Sequence, residues 1–387
     1  MRRLIAAGAA LAAVGAVTAC GAAASSSSGS AAAAAGSGAA SMATSLATSQ
    51  ETWAIVPMAA DPAFWQVFSR AANSPTWKLV TPPGVAINGG LVAAAGGADS
   101  LSVAVRPSQD LTFTPLAATT NGGNAWSAGG PLNAGVAASP DAFAANGSRL
   151  AALLSDGTIE TSSDAGTSWS TLAKPGAIAA SPAATGCGPV TVTSLSFGIS
   201  ATDLLAGGTC GTSGTTAVFT YSAPSGWQRL HLPVSGQLRR LTSGLALVQG
   251  KDGLSALWNG IGWYAYGPPS QVAANWATSA PLPVPGPVTA SGTLAGDGAW
   301  VLFADGRAAT VSLSMRAALG SPPAATQWVQ LPAVPARTAV LASGPGGATD
   351  ALAVSGSTLT VWRLASGQTA WSKVQTISVP IQAGSSG

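Results

Sequence analysis

One residue type recurs along this chain in one setting. Trp77, Trp126, Trp169, Trp227, Trp263, Trp328 and Trp371 are separated by 36 to 65 residues, and most are followed within a few positions by an aliphatic side chain and then proline. The spacing centres on the ~40–50 residues of a four-stranded propeller blade. Upstream of each tryptophan lies the same meander: an apolar run, a turn rich in Gly, Asp or Ser, a second run, a second turn, then the strand bearing Trp. In one copy the strands fall at 150–154, 158–162 and 168–172, with Ser155-Asp156-Gly157 in the first turn. Others fall at 245–249 and 254–258, at 300–303 and 308–313, and at 351–355 and 359–364. Asp-Gly and Gly-rich pairs between β-rich runs mark hairpins, because the tight turn needs φ > 0. No comparable stretch carries helical periodicity with caps.

A single four-stranded sheet cannot bury both of its faces, whereas stacking against a neighbour does so. The repeat therefore predicts an all-β fold, a seven-bladed β-propeller of four-stranded antiparallel blades. A β-sandwich array whose strands happen to carry tryptophan is the competing architecture. In the propeller each tryptophan fills the gap between blades, with its indole N–H reaching a partner. The first meander opens at residue 53 in what reads as a second strand, and 377–381 follows the last tryptophan strand. The expectation is that this tail supplies the first blade's missing strand and removes two open edges.

At one turn the chain reads Ser162-Ser163-Asp164-Ala165-Gly166-Thr167-Ser168-Trp169. This resembles the Asp-box, or BNR repeat, S-x-D-x-G-x-[ST]-W. A weaker copy runs from Thr119 through Asn121 and Gly123 to Trp126, with Asn in place of Asp. The pattern has a local cause: the carboxylate accepts backbone N–H groups across the turn, Gly takes φ > 0, and Trp packs inward. Asp-boxes occur in sialidases, other glycoside hydrolases, sortilin-type receptors and photosystem-assembly propellers. The resemblance implies a structural role for these residues, away from any active centre.

The amino terminus is of a different character. Arg2 and Arg3 precede an uncharged apolar run at 4–17, too short to span a bilayer and suited to a signal-peptide core. It ends in Val17-Thr18-Ala19-Cys20, followed by Gly21. This resembles the lipobox of bacterial lipoproteins, which implies cleavage before Cys20 and diacylglyceryl on its thiol. An ordinary secretory signal with a chance cysteine is the alternative. Two acyl chains at ~0.8 kcal/mol per buried CH₂ make a stable anchor. Residues 21–50 are almost all Ala, Ser, Gly and Thr, which reads as a flexible tether with a reach of roughly 30 Å. The organisation expected is a signal peptide at 1–19, a lipidated tether at 20–50 and the propeller at 51–387, on the extracytoplasmic face of a cell membrane.

Two cysteines remain, Cys187 and Cys210, in a chain bound for an oxidising compartment. They flank two short runs, 190–197 and 203–208, whose folding into a hairpin brings them opposite one another. A disulfide is expected.

Charge narrows the chemistry. Charged residues make up 7% of the chain, and removal of 1–19 leaves basic and acidic groups nearly balanced, so there is no footprint for nucleic acid. His231 is the only histidine, too few for a His-rich metal site or a Ser-His-Asp triad. An exo-sialidase needs three arginines, a Tyr–Glu pair and an Asp. The chain holds three tyrosines (Tyr221, Tyr264 and Tyr266) and two glutamates (Glu51 and Glu160), with no evident Tyr–Glu partnership. Asp156, Asp164, Asp252 and Asp305 fall in turn contexts and read as turn caps. Arg239-Arg240 reads as a solvent-facing pair. The reading is a non-catalytic binding or scaffold module for a protein or glycan, monomeric, with no cofactor, no metal and no catalytic residue assigned. A sialidase-type hydrolase and an assembly factor for a membrane complex are the alternatives.

Overall fold

A computed structural model describes residues 43–58, 65–82, 91–96, 99–105, 116–129, 140–198, 202–212, 214–242, 244–259, 276–284, 286–296, 298–312 and 327–379. Among them, 28 strands form seven antiparallel sheets, each of four strands in sequence order. Blade 1 comprises β1 (Thr44–Ala47), β2 (Glu51–Pro57), β3 (Trp65–Ala71) and β4 (Lys78–Leu79). Blade 2 is β5 (Leu91–Ala95), β6 (Leu101–Val105), β7 (Leu116–Thr119) and β8 (Ser127–Ala128). Blade 3 is β9 (Pro140–Asn146), β10 (Arg149–Leu154), β11 (Ile159–Ser162) and β12 (Ser170–Ala173). Blade 4 is β13 (Val190–Phe197), β14 (Leu204–Cys210), β15 (Thr215–Ser222) and β16 (Gly226–Leu230). Blade 5 is β17 (Gln237–Leu241), β18 (Leu245–Gly250), β19 (Gly253–Asn259) and β20 (Trp276–Thr278). Blade 6 is β21 (Val288–Leu294), β22 (Gly298–Phe303), β23 (Ala308–Val311) and β24 (Val329–Gln330). Blade 7 is β25 (Thr338–Ser343), β26 (Thr349–Ser355), β27 (Thr358–Leu364) and β28 (Ser372–Ser378). The seven-bladed propeller is the fold.

The apolar core lies between blades, as stacking requires. Ala104 and Leu116 of blade 2 meet Phe143, Leu150 and Trp169 of blade 3. Leu205 and Val218 of blade 4 meet Ala246 and Leu257 of blade 5, and Leu247 and Trp258 of blade 5 meet Val301 and Phe303 of blade 6. The largest cluster runs through blades 6, 7, 1 and 2, from Trp300 through Leu352 and Trp53 to Val103. The seam where the chain's two ends meet is therefore packed like the others.

Closure differs from the expectation. Residues 44–47 are the first strand of blade 1, pairing Leu46 with Trp53. The carboxy-terminal strand β28 pairs with β27 as the last strand of blade 7, with Ile377 opposite Leu359. No strand is exchanged across the seam, and the propeller begins before residue 51. The composition of 21–50 concealed this. β1 is wedged against β21 near the ring's axis, where Ser45 is fully buried and receives the indole N–H of Trp300 on its Oγ at 2.7 Å. A Cβ at Gly292 would lie 2.7 Å from the Ser45 carbonyl oxygen. Only small residues fit such an approach, so a run of Ser, Thr and Ala is here a packing solution.

Six of the tryptophans sit at or next to the start of a fourth strand. Trp77, Trp126, Trp169, Trp328 and Trp371 each immediately precede the fourth strand of a blade, and Trp227 is the second residue of β16. Trp263, with Tyr264 and Tyr266, lies outside the described residues, as does Cys20. Four indole N–H groups donate into the preceding blade: Trp77 to Asp350, Trp126 to the Val80 carbonyl, Trp328 to Ser279 Oγ and Trp371 to the Pro332 carbonyl. Trp169 instead closes its own turn on the Gly166 carbonyl at 3.1 Å, and Trp227 packs against Tyr221 at 5.2 Å.

Cys187 and Cys210 form a disulfide, with Cα atoms 5.0 Å apart. Cys210 ends β14 and pairs with Val190, so the bond ties the segment before β13 to its hairpin.

Candidate functional site

The two Asp-box-like turns share one skeleton. Ser162 Oγ donates to Asp164 Oδ1 at 2.7 Å and accepts the Gly166 N–H at 2.9 Å; Asp164 Oδ1 accepts the Ser168 N–H at 2.9 Å. In the degenerate copy Thr119 Oγ1 meets Asn121 Oδ1 at 3.0 Å and accepts the Gly123 N–H at 3.0 Å, and Asn121 Oδ1 accepts the Ala125 N–H at 2.9 Å. The carboxylate adds one bond, from Ser168 Oγ to Asp164 Oδ2 at 2.6 Å. The Ser168 hydroxyl, then its N–H and the Ser162 hydroxyl, hold the exposed Asp164 carboxyl down at about 2. Gly166 and Gly123 have φ of 86° and 83°. At Gly123 a Cβ would also lie 2.5 Å from Val80 of the preceding blade. Both turns serve local folding and blade contact.

Other carboxylates sit in turns or within blades. Asp156 accepts the Thr158 N–H at 2.8 Å, and Asp305 accepts the Arg307 N–H at 3.0 Å, as turn caps. Glu160 is buried in β11 opposite Ala152 and Thr171. Glu51 is 7% exposed beside Ser69, Arg70, Lys78 and Asp99, and burial pushes its carboxyl above the usual range. Tyr221 packs against Trp227 with the rings tilted by 56°, and Trp227 borders an open groove that also takes in Arg229 and His231. The structure brings no Tyr–Glu pair together among the described residues.

The first strands of the blades deliver their carboxyl-terminal ends to one face. There Leu46 to Ser49, Phe143 to Asn146, Leu195 to Phe197, Arg240 to Thr242 and Thr293 to Gly296 surround a cavity of about 520 Å³ at the mouth of the ring. The polar residues of its lining are Thr48, Ser49, Asn146, Ser196, Thr242 and Thr293, and the hydroxyls of Thr48, Ser196 and Thr242 donate to the carbonyls of Glu51, Phe197 and Leu245. Among the described residues one charged side chain lines it, Arg240.

Arg240 corrects the reading of Arg239-Arg240 as a solvent-facing pair. A β-bulge in β17 leaves Arg239 as the extra residue between Leu238, opposite Val248, and Arg240, opposite Leu247. Arg239 stays exposed and donates to Gln249 Oε1 at 2.8 Å. A bulge shifts the alternation of side chains, and Arg240 turns inward. Its Nη1 donates to Thr44 Oγ1 at 2.7 Å and to the Ser291 carbonyl at 3.1 Å, joining blade 5 to β1 and β21. Its Nε is buried without a hydrogen-bond partner among the described residues. Burial alone pushes the guanidinium down to about 10, with no carboxylate acting on it. The same bulge recurs in β13, β21 and β25, where the residues after it are Ser194, Ala290 and Val340. A comparison of these inner strands marks Arg240 as the exception, a signal that is present in the sequence once the bulge is aligned.

No protein-family model matches the chain, and no curated protein matches it. Among solved structures it is similar to a YCF48 bound to D1 peptide, at 14% identity over 73% of this chain and 80% of that one, with a TM-score of 0.44. It is also similar to a protein from Lactobacillus plantarum, at 11% identity over 86% and 97%, with a TM-score of 0.47. A third is the GH74 xyloglucanase from Xanthomonas campestris, at 15% identity over 87% of this chain and 54% of that one, with a TM-score of 0.46. These are likenesses of fold alone.

Proposed function

We propose that this chain is a membrane-tethered, extracytoplasmic binding module that holds a protein or glycan partner at the mouth of its ring and performs no chemistry on it. The observation that carries this reading is the cavity at the mouth, about 520 Å³ on a rigid ring, lined among others by Thr48, Ser49, Asn146, Thr242, Thr293 and Arg240. The mouth offers neutral hydrogen-bonding groups around a rigid ring, which suits recognition. The Val17-Thr18-Ala19-Cys20 sequence supports a lipid anchor on Cys20. The Cys187–Cys210 disulfide supports an oxidising compartment.

Two experiments test the two halves. Cells expressing the chain are fed an alkynyl fatty acid; the expected result is label on the protein that is lost in Cys20→Ser, and label that persists in Cys20→Ser rejects the anchor. For the binding face, a photo-crosslinking amino acid is placed at Ser49 or Thr242 in the mouth, and at the exposed Val329 or Val374 on outer strands. Adducts from the mouth positions alone are expected. Adducts confined to the outer positions overturn the reading, as does turnover of a fluorogenic glycoside.

A further inference from the structure

The tryptophan of blade 4 does not do what its counterparts do. Trp77, Trp126, Trp169, Trp328 and Trp371 each spend the indole N–H on an acceptor. Trp227 is half-buried beside Tyr221, and borders an open groove of about 760 Å³ on the outer strand. Side chains two apart share a face of a strand, about 7 Å from one another. Trp227 and Arg229 therefore project together from β16, and His231 continues the line past its end. Leu230 points the other way, into the packing with blade 5. Neither the Trp227 N–H nor the Arg229 guanidinium has an acceptor among the described residues, and neither is sealed from solvent: the buried unpartnered nitrogens there belong to Trp53, Arg70 and Arg240. The facing wall is the short turn at 181–185, and the Cys187–Cys210 disulfide ties that turn to the blade 4 hairpin. A wall fixed in advance lowers the cost of ordering a ligand against it.

We propose that this groove is a second binding site, for an acidic saccharide, in which the Trp227 indole receives a sugar ring and Arg229 the carboxylate of a uronic acid. The groove shares no lining residue with the mouth and stands on its own observations. Charge selects the acid. The lining stretches 181–185 and 225–231 are described throughout and contain Arg229 and His231 with no Asp or Glu. Between Lys174 and Arg239 the sequence holds one acidic residue, Asp203. It lies outside the lining, and its carboxylate accepts the Thr202 hydroxyl at 3.3 Å. Arg229 is left without a counter-charge, and its planar fork meets both oxygens of a carboxylate. The rest of the lining selects sugar over peptide. A docked peptide is held by aliphatic or aromatic anchors in apolar pockets. Here the apolar lining is Pro182, Ala183 and the indole itself. The exposed large aliphatic side chains among the described residues, Val329 and Val374, are in blades 6 and 7. The Ser181 and Thr185 hydroxyls donate within their turn, at 2.7 and 2.8 Å, and keep lone pairs as acceptors. An indole with an open N–H beside such acceptors offers a flat apolar face and a polar rim, the complement of a pyranose ring.

The test is a titration of the folded chain with a galacturonate trisaccharide, its methyl-esterified form and an acetyl-capped aspartate tetrapeptide. Binding is followed by calorimetry and by the indole N–H resonance of Trp227, assigned by its absence in Trp227→Phe. Saturable binding of the acidic saccharide that shifts this resonance is expected, with the ester weaker by about tenfold or more, the loss of a charge-assisted pair. Arg229→Gln is expected to bring the acid down to the level of the ester. The Arg229 side chain makes no hydrogen bond among the described residues, so its unfolding midpoint is expected to stay unchanged. The acid-against-ester comparison in the unaltered chain needs no variant at all. No binding of the acidic saccharide, equal binding of acid and ester, or undiminished binding in folded Arg229→Gln each overturns the site. Tighter binding of the peptide than of the saccharide overturns the choice of sugar, and a Trp227 resonance unmoved by a saccharide that binds places that saccharide elsewhere and overturns the groove. Crosslinks at Ser49 and Thr242 report on the mouth and are expected to be indifferent to Arg229→Gln, so the mouth and the groove can fail separately.

Discussion

The indole N–H of Trp77, in blade 1, donates to Oδ2 of Asp350, in blade 7, at 3.0 Å. This bond crosses the seam where the two ends of the chain meet. Asp350 is fully buried and is gripped in bidentate fashion by Arg363, at 2.7 and 2.9 Å. The Arg70 guanidinium lies over the Trp77 ring at 5.6 Å, and its Nη2 donates to the Ser343 carbonyl at 2.6 Å. The Gln375 side-chain amide meets both the N–H and the carbonyl of Trp77, at 2.8 and 2.9 Å. A polar network thus joins blades 7 and 1 where many rings would share a strand.

Asp350→Ala leaves two guanidinium groups facing a buried site with no counter-charge. Breaking one side of a buried pair costs about 3–5 kcal/mol, and that loss is expected in a urea unfolding curve. Arg307→Ala removes the partner of Asp305 at 2.6 Å in an exposed pair, 58% and 39% accessible, keeps the backbone N–H that Asp305 caps, and is expected to leave the midpoint unchanged. Equal effects from the two variants would discard the seam network as a stabiliser.

Reduction of Cys187–Cys210 tests the segment before blade 4. The bond closes a loop with a sequence separation of 23. Constraint of the unfolded chain by a loop of that size is worth about 3 kcal/mol. Unfolding in denaturant with and without reductant, and of the Cys187→Ala/Cys210→Ala chain, measures it. A midpoint indifferent to reductant contradicts the estimate.

Asp164 gives a pH dependence of known sign. Its carboxyl sits at about 2 in the folded chain against 3.8 as a free side chain. A depressed carboxyl contributes stability that is fully present above about 4 and is lost as the pH falls towards about 2. Asp164→Asn keeps an acceptor for the Ser168 N–H, as Asn121 does for Ala125. The variant is therefore expected to fold normally at pH 7 and to show a flatter stability profile between pH 4 and 2. A carboxyl resonance of Asp164 that titrates near 4 contradicts this.

Trp53 and Trp300 are both fully buried, yet only one has its N–H satisfied. Trp300 donates to Ser45 Oγ at 2.7 Å, while the Trp53 Nε1 has no partner among the described residues. Replacing Trp53 by Phe removes an unmet donor, whose burial costs roughly 1–3 kcal/mol, along with some packing. Trp300→Phe removes a made bond and unseats β1. Trp300→Phe is expected to be the more destabilising by about 1 kcal/mol or more, read from paired denaturation curves.

The blade register was legible because its determinants are local. Hairpin turns such as Ser155-Asp156-Gly157 and the tryptophan immediately before five of the fourth strands are set by neighbours in the chain, and those strands fall where the signals place them. The degenerate turn at 119–126 was legible for the same reason, since its skeleton needs an acceptor and not a charge. What escaped depends on residues far apart. The burial of Ser45 is decided by Trp300 and Gly292, some 250 positions away, and no local window distinguishes a wedge of Ser, Thr and Ala from a linker. The inward turn of Arg240 depends on a one-residue bulge and on Thr44 and Ser291 in two other blades. Read as two adjacent arginines, 239 and 240 look equivalent; the bulge makes one a surface group and the other part of the cavity wall.

β1 has a direction as well as a place. It runs from Thr44 towards Ser49, and its downstream end lines the mouth. The described polypeptide therefore enters the ring at Ala43 from the side opposite the cavity, so the mouth and the point of entry lie on different faces of the propeller.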